Sequence, residues 1–129
     1  MNPVELCNQY LSALNAGDLQ KVLSLFDSKA MVVSPLYGLV EAQRFYRELF
    51  EDTNRSKTTL QHVFEAENTP SVALHFHYSW TLKSGKVVDF ECVDVIELTP
   101  DGKKFAKLTI IYDTAPLRAD FAESHGTDS

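Results

Sequence analysis

The sequence predicts an α+β domain in which three N-terminal helices precede an antiparallel meander sheet. In the first half of the chain, apolar residues recur at three- and four-residue spacing, which is the period of one helix face. In the second half, apolar and polar residues alternate, and short glycine-containing motifs separate the alternating segments. A run of helices followed by a run of strands is typical of the α+β class.

Two helices are predicted before residue 27. The first spans about residues 3–15, where Pro3 suits the first turn and Gly17 ends the helix. Asp18 can cap the second helix, which continues to about Phe26. The inward-facing residues of the first helix are Leu6, Cys7, Tyr10, Leu11 and Leu14.

A brief strand and a third helix follow. AMVVS, residues 30–34, is a short apolar and β-branched run that Pro35 stops, so it predicts a strand. The third helix is expected from about Val40 to Phe50.

The predicted sheet occupies the rest of the domain. Ser84-Gly85 and Pro100-Asp101-Gly102 are hairpin signals between alternating segments. The predicted strands are residues 58–67, 72–82, 86–98 and 103–113. We therefore expect one domain over residues 1–114, followed by a polar C-terminal tail over residues 115–129.

Composition argues against several classes of partner. The chain has 129 residues and a formal net charge of -6, and its longest basic cluster is Lys103-Lys104. We therefore expect no nucleic acid and no anionic membrane surface as a partner. There is no apolar run of membrane-spanning length and no signal-peptide pattern. Cys7 and Cys92 lie in apolar patterns and are interpreted as buried free thiols, which favours a cytoplasmic location.

Asp94 lies in the middle of an apolar stripe on the predicted strand FECVDVIEL. A two-residue turn at Ser84-Gly85 would place Asp94 opposite His75 and Cys92 opposite His77. A three-residue turn at Pro100-Asp101-Gly102 would place Asp94 opposite Leu108 and Phe90 opposite Tyr112. The shared face would carry His75, His77, Ser79, Val88, Phe90, Cys92, Asp94, Ile96, Leu108, Ile110 and Tyr112. An apolar wall with a few polar groups is typical of a small-molecule pocket.

The opposite face of this predicted sheet is also largely apolar. It would carry Phe76, Tyr78, Trp80, Val93, Val95, Thr109 and Ile111, with Asp89 and Glu91. Three short helices can cover only one face, so we expect a homodimer through this outer face.

The order of three sequence segments resembles the nuclear transport factor 2-like superfamily. The segments are NQYLSALNAGDLQKVLSLF, YGLVEAQRFYRELF and VDVIELTPDGKKFAKLTIIYD. This superfamily includes ketosteroid isomerases, SnoaL-type polyketide cyclases, scytalone dehydratases and limonene epoxide hydrolases. The resemblance implies a curved meander around the helices, a cone-shaped cystatin-like roll, with no cofactor and no metal.

The site residues most resemble those of the ketosteroid isomerases. In that family a helix tyrosine and a protonated aspartic acid donate hydrogen bonds to a dienolate oxygen. Tyr10 in NQYLSAL matches the tyrosine, and Asp94 in VDVIEL matches the acid. Tyr112 matches a pocket-lining aromatic position. Ser34 stands where the family has its proton-moving aspartate.

Two functional hypotheses follow. The first is an enolising isomerase, cyclase or dehydratase for a small apolar or aromatic carbonyl compound, with Tyr10 and Asp94 holding the oxyanion and His75 as base. The substrate-binding residues would be Ser34, His77, Phe90, Cys92 and Tyr112. The second is a non-catalytic ligand-binding or dimerisation module, which Ser34 favours. Asp94 could also be a simple ion-pair partner of His75, and His75, His77 and Asp94 are a weaker metal-site alternative.

Overall fold

The computed structural model describes residues 2–115 and confirms the α+β class. The helices are α1 (Pro3–Ala16), α2 (Leu19–Ser24) and α3 (Ala42–Asp52). The strands are β1 (Phe26–Ser34), β2 (Gly38–Glu41), β3 (Thr53–Glu65), β4 (Ser71–Leu82), β5 (Val87–Leu98) and β6 (Phe105–Ile111). The predicted tail, 115–129, lies outside the described residues except for Ala115.

Local signals define the ends of the first two helices. Asn2 and Glu5 form a capping box at the start of α1, and Gly17 ends it in the left-handed conformation at φ 65°. The Asp18 side chain accepts a hydrogen bond from the Lys21 backbone N–H at 3.0 Å, so it caps α2 as predicted. However, α2 ends at Ser24, two residues before the predicted end, because β1 already begins at Phe26.

The six strands form one curved, unclosed sheet in the order β2-β1-β6-β5-β4-β3. β3 to β6 form the predicted antiparallel meander, and β1 joins β6 in parallel. β2 was not predicted, because its sequence GLVE is short and mostly exposed. The helices cover one face of the sheet, its inner face, and the opposite face is the outer face. None of the helices within residues 2–115 is long and apolar enough to cross a membrane.

The turn between β4 and β5 has one residue more than predicted. The Leu82 backbone N–H donates to the Lys86 carbonyl at 2.9 Å, which leaves a three-residue loop over residues 83–85. Gly85 adopts φ 92°, as the left-handed position of such a loop requires. Asp94 therefore lies opposite Leu74 rather than His75.

This one-residue difference turns every side chain of β4 to the other face. Cys92 lies opposite Phe76 rather than His77. The inner face of β4 consequently carries the buried side chains of Val72, Leu74, Phe76, Tyr78, Trp80 and Leu82. The prediction that His75, His77 and Ser79 share a face with Asp94 is wrong.

The turn between β5 and β6 also differs from the prediction, but without changing the face. The Thr99 backbone N–H donates to the Lys104 carbonyl at 2.8 Å, and the pairing shifts between Glu97 and Leu98. Asp94 therefore lies opposite Ile110 rather than Leu108. Because this offset is two residues, Asp94 and Ile110 still share the inner face.

Candidate functional site

A cavity of about 40 Å³ lies between α1, α3 and the inner face of the sheet. Six of the predicted site residues line it: Tyr10, Ser34, Phe90, Cys92, Asp94 and Tyr112. The sequence interpretation missed further lining residues, among them Tyr37, Phe45, Tyr78 and Trp80. The side chains of Tyr78 and Trp80 were assigned to the outer face because the register of β4 was wrong.

Tyr10 reaches the cavity because it belongs to the buried stripe of α1. Leu6, Tyr10 and Leu14 follow one another at four-residue spacing and are all buried. The Tyr10 hydroxyl lies 2.6 Å from the hydroxyl of Tyr46, a fully buried residue of α3. Phe105 packs edge-to-face on the Tyr10 ring with centroids 5.9 Å apart. These contacts hold the hydroxyl at a fixed position beside the cavity.

Asp94 reaches the same cavity from β5. Its exposure is only 1%, and its Oδ1 accepts a hydrogen bond from the Cys92 Sγ at 3.3 Å. The salt bridges formed among residues 2–115 do not include Asp94. The predicted pairing of Asp94 with His75 is therefore wrong.

Burial without a cation favours the neutral form of Asp94. Burial raises the pKa of this carboxyl to about 7, against hydrogen bonds from Cys92 and Tyr10 that lower it. Burial also raises the pKa values of the Tyr10 and Tyr46 hydroxyls well above their usual range. Tyr10 is therefore protonated at neutral pH, and Asp94 is protonated below about pH 7. Two hydrogen-bond donors thus border one apolar cavity.

Ser34 lies at the end of β1, where its hydroxyl serves the turn into β2. The Ser34 Oγ accepts a hydrogen bond from the Tyr37 backbone N–H at 3.0 Å. None of the side-chain hydrogen bonds formed among residues 2–115 connects Ser34 to a base. A serine without such a base cannot abstract a proton from carbon at a useful rate.

Tyr37 links the cavity to a carboxylate that does not line it. Its hydroxyl donates to the Asp52 Oδ2 at 2.5 Å, and its ring packs edge-to-face on Phe45 with centroids 5.2 Å apart. Burial, followed by the hydrogen bond to Asp52, raises the pKa of Tyr37 far above its usual range. Asp52 is the last residue of α3 and directly follows Glu51. The sequence signal for the pair of Tyr37 and Asp52 is limited to the position of Tyr37 in the turn after β1.

His75 and His77 lie on the outer face, so neither can serve the cavity as base or ligand. The Glu91 carboxylate lies between them, with Oε1 3.0 Å from the His75 Nε2 and Oε2 2.7 Å from the His77 Nδ1. The His77 Nε2 lies 3.1 Å from the Asp89 Oδ1. Hydrogen bonds with Glu91 and Asp89 raise the pKa of His77. Within the described residues, no group of three or more His, Cys, Asp or Glu side chains is arranged to hold a metal ion.

Comparison with known families identifies one match. The SnoaL-like domain family matches residues 7–106. No curated protein matches the sequence.

Solved structures share the fold at low sequence identity. PrhC from Penicillium brasilianum is 16% identical with a TM-score of 0.78, covering 95% of this chain and 87% of its own. The epoxide hydrolase/cyclase-like enzyme SalBIII, which has a role in pyran ring formation in the polyether salinomycin, is 22% identical with a TM-score of 0.76, covering 88% of this chain and 92% of its own. A ketosteroid isomerase-like protein from Catenulispora acidiphila, in complex with trimethylamine, is 11% identical with a TM-score of 0.76 and covers 92% of each chain.

Proposed function

The chain belongs to the SnoaL-like domain family, and we propose that its cavity binds a small apolar carbonyl compound and stabilises the enolate of that compound. Tyr10 and Asp94 are the two oxyanion donors in this proposal. The reaction class would be that of an isomerase, a cyclase or a lyase, in which a proton moves from the carbon beside a carbonyl group.

The observation that carries the proposal is the state of Asp94. Asp94 is 1% exposed and forms no ion pair with any residue of the described part of the chain, so ionising it costs stability. A purely structural side chain at this place in the sheet would be apolar, like Ile96 on the same face. The neutral acid, which lines the cavity together with Tyr10, instead supplies a hydrogen-bond donor there.

Two donors in a dry, preorganised site suit a developing enolate. Hydrogen bonds to a charged oxygen are stronger than those to a neutral carbonyl, so they stabilise the transition state more than the substrate. The apolar walls strengthen these bonds by excluding water. The lining residues Phe76, Phe90 and Ile110 supply such walls.

The size of the cavity limits what it accepts. A volume of about 40 Å³ has room for only a few water molecules. We therefore expect ligand binding to displace side chains at the mouth. Tyr112 is the best placed of these, because it follows the end of β6 and contacts Phe90 with ring centroids 4.7 Å apart.

Binding of 4-nitrophenol tests the proposal, because its phenolate is a planar analogue of an enolate. Below about pH 7, where Asp94 is protonated, the cavity should bind the phenolate and increase its absorbance. The Tyr10→Phe and Asp94→Leu variants should each weaken this binding by at least about tenfold, the loss expected for one hydrogen bond to an anion.

Tyr78→Phe is the matched control for Tyr10→Phe. Tyr78 is also a buried tyrosine of the cavity wall, but its hydroxyl lies 2.7 Å from the Ser56 Oγ. Its phenylalanine variant should bind the phenolate as the unaltered chain does. Equal binding by all four proteins would show that the two donors are not the anion site.

A second candidate function is ligand binding without turnover. This function is favoured by the side chains that line the cavity. Among the described residues that line it, Asp94 carries the only carboxyl group, and none is a histidine. Tight binding of a small ketone together with no exchange of its α-hydrogens would support this second function over the first.

A further inference from the structure

We propose that Tyr37 and Asp52 form the proton-accepting pair of this cavity, in which Tyr37 takes the proton from carbon while passing its own proton to Asp52. The inference rests on the proposed enolisation and names the residues that move the proton. Tyr37 would be the catalytic residue, and Asp52, which acts through it, a positioning residue.

The geometry places Tyr37 at the wall of the same cavity as the two oxyanion donors. Tyr37 lines the cavity together with Tyr10 and Asp94. The bond of 2.5 Å from the Tyr37 hydroxyl to the Asp52 Oδ2 is short, as a hydrogen bond to a charged acceptor should be. The Ser34 turn and the Phe45 ring fix the Tyr37 backbone and side chain, so the hydroxyl is held in place.

No other described residue of the cavity suits the task. Asp94 is needed in its protonated form, the Ser34 hydroxyl accepts a bond from the turn, and His75 lies on the outer face. The Asp52 carboxyl group is connected to the cavity by the hydrogen bond from Tyr37, and Asp52 is only partly buried. Its proton can therefore exchange with water outside the cavity.

The proposed step conserves atoms and charge. The C–H bond beside the carbonyl breaks, and its electron pair moves into the new carbon–carbon double bond as the carbonyl oxygen becomes the oxyanion held by Tyr10 and Asp94. The proton forms a bond to the Tyr37 Oη while the phenolic proton moves to the Asp52 Oδ2. Return of a proton by the same route, to the same or a conjugated carbon, regenerates the pair.

The two transfers have to be concerted. A free Tyr37 phenolate is disfavoured, because burial and the neighbouring carboxylate raise the pKa of the hydroxyl. In a concerted transfer no phenolate forms, and the net proton acceptor is the Asp52 carboxylate. Tyr37 thus extends a carboxylate that does not itself line the cavity.

Hydrogen–deuterium exchange at the α-carbons of cyclohexanone and 2-tetralone, followed by proton NMR in D₂O, tests the inference. The unaltered chain should accelerate exchange above the buffer rate. Tyr37→Phe and Asp52→Asn should each slow the enzymatic exchange by about 10²-fold, the usual contribution of a general base. Both variants should still bind 4-nitrophenolate normally, since the oxyanion donors are intact.

Two further variants separate proton transfer from a structural effect. Asp52→Glu should restore part of the exchange that Asp52→Asn loses, because it restores the carboxylate. Glu51→Gln removes the neighbouring charge, which is exposed at the end of α3, and should exchange at the unaltered rate.

The outcomes distinguish this inference from the proposed function. If the unaltered chain, Tyr37→Phe and Asp52→Asn all exchanged at the same rate, the inference would be overturned and the proposed function would stand. A loss of phenolate binding equal to the loss of exchange in either variant would overturn it too, because the effect would then be structural. Exchange of neither ketone by the unaltered chain would overturn the inference and the enolisation reaction together.

Discussion

At the scale of single residues, Asp94 links the stability of the protein to the proposed oxyanion site. Its pKa is about 7 in the folded chain and about 4 in an unfolded one. Between these values the folded state binds the extra proton, so the free energy of unfolding falls as pH rises from about 4 to 7. Above both values the loss is complete, at about 4 kcal/mol. A cost of this kind is common at functional sites.

Asp94→Asn should therefore stabilise the protein in a pH-dependent way. The amide is nearly isosteric and carries no charge, so near pH 8 the variant should gain up to about 4 kcal/mol in unfolding free energy. The gain should shrink as pH falls from about 7 towards 4, and it should vanish below about pH 4, where Asp94 becomes neutral in both states. Urea denaturation at several pH values measures it.

Asp101→Asn is the control of opposite sign for this experiment. The Thr99 hydroxyl and the Lys103 backbone N–H lower the pKa of Asp101, so its stabilising effect is present above the unfolded pKa and is lost as pH falls. Removing that charge should lower stability at neutral pH. A pH-independent effect of Asp94→Asn would contradict the neutral-acid interpretation of Asp94.

Residue patterns also determined which site residues could be predicted. Tyr10 and Asp94 belong to periodic stripes, so their faces followed from helix and strand periods. Tyr37 lies in a turn and Asp52 at the end of a helix, where neither the helix nor the strand period predicts which way a side chain points. Only folding brings the Tyr37 hydroxyl to 2.5 Å from the Asp52 Oδ2. Their partnership depends on residues that are 15 positions apart in the sequence.

At the scale of elements, one turn determines which side chains of β4 line the cavity. The strand itself was predicted from its alternation, but alternation gives two equivalent faces, and the loop length selects between them. The extra residue in the turn before β5 moved three aromatic side chains inward and two histidines outward. At the turn before β6 the predicted register was wrong by two residues. Because two is a whole strand period, the faces of β5 and β6 were still predicted correctly.

Gly85 should be required for that turn. It adopts φ 92°, and a Cβ added there would meet nothing within 4 Å, so the cost of a side chain is conformational rather than a clash. Gly85→Ala should lower the free energy of unfolding by about 1–2 kcal/mol. Gly85→Asn should cost less, because asparagine tolerates the left-handed conformation better. Thermal unfolding of the two variants measures this difference, and an equal effect would contradict the conformational explanation.

At the scale of the whole molecule, the outer face of the sheet remains without a described partner. The correction of β4 removes Phe76, Tyr78 and Trp80 from this face, so it is less apolar than predicted. A continuous apolar patch remains across β3 to β6, formed by Phe64, Ala73, Val93, Val95 and Ile111. Phe64 is 58% exposed and Ile111 is 53% exposed. We propose that a second copy of the chain covers this outer patch in a two-fold symmetric dimer. In such a dimer the outer patch of each copy packs against that of the other, so both apolar patches are buried.

Ile111→Asp should disrupt this dimer. Each dimer would contain two copies of the substituted side chain, and burying one isoleucine contributes about 1.5–3 kcal/mol, so the dissociation constant should rise by at least about 10²-fold. Val4→Asp is the matched control, since Val4 is an exposed apolar residue of α1, 40% exposed and away from the outer patch. Sedimentation equilibrium should find a dimer for the unaltered chain and for Val4→Asp, and a monomer for Ile111→Asp. A monomeric unaltered chain would refute the dimer. The cavity itself lies on the inner face and is lined within one copy, so monomeric Ile111→Asp should still bind 4-nitrophenolate.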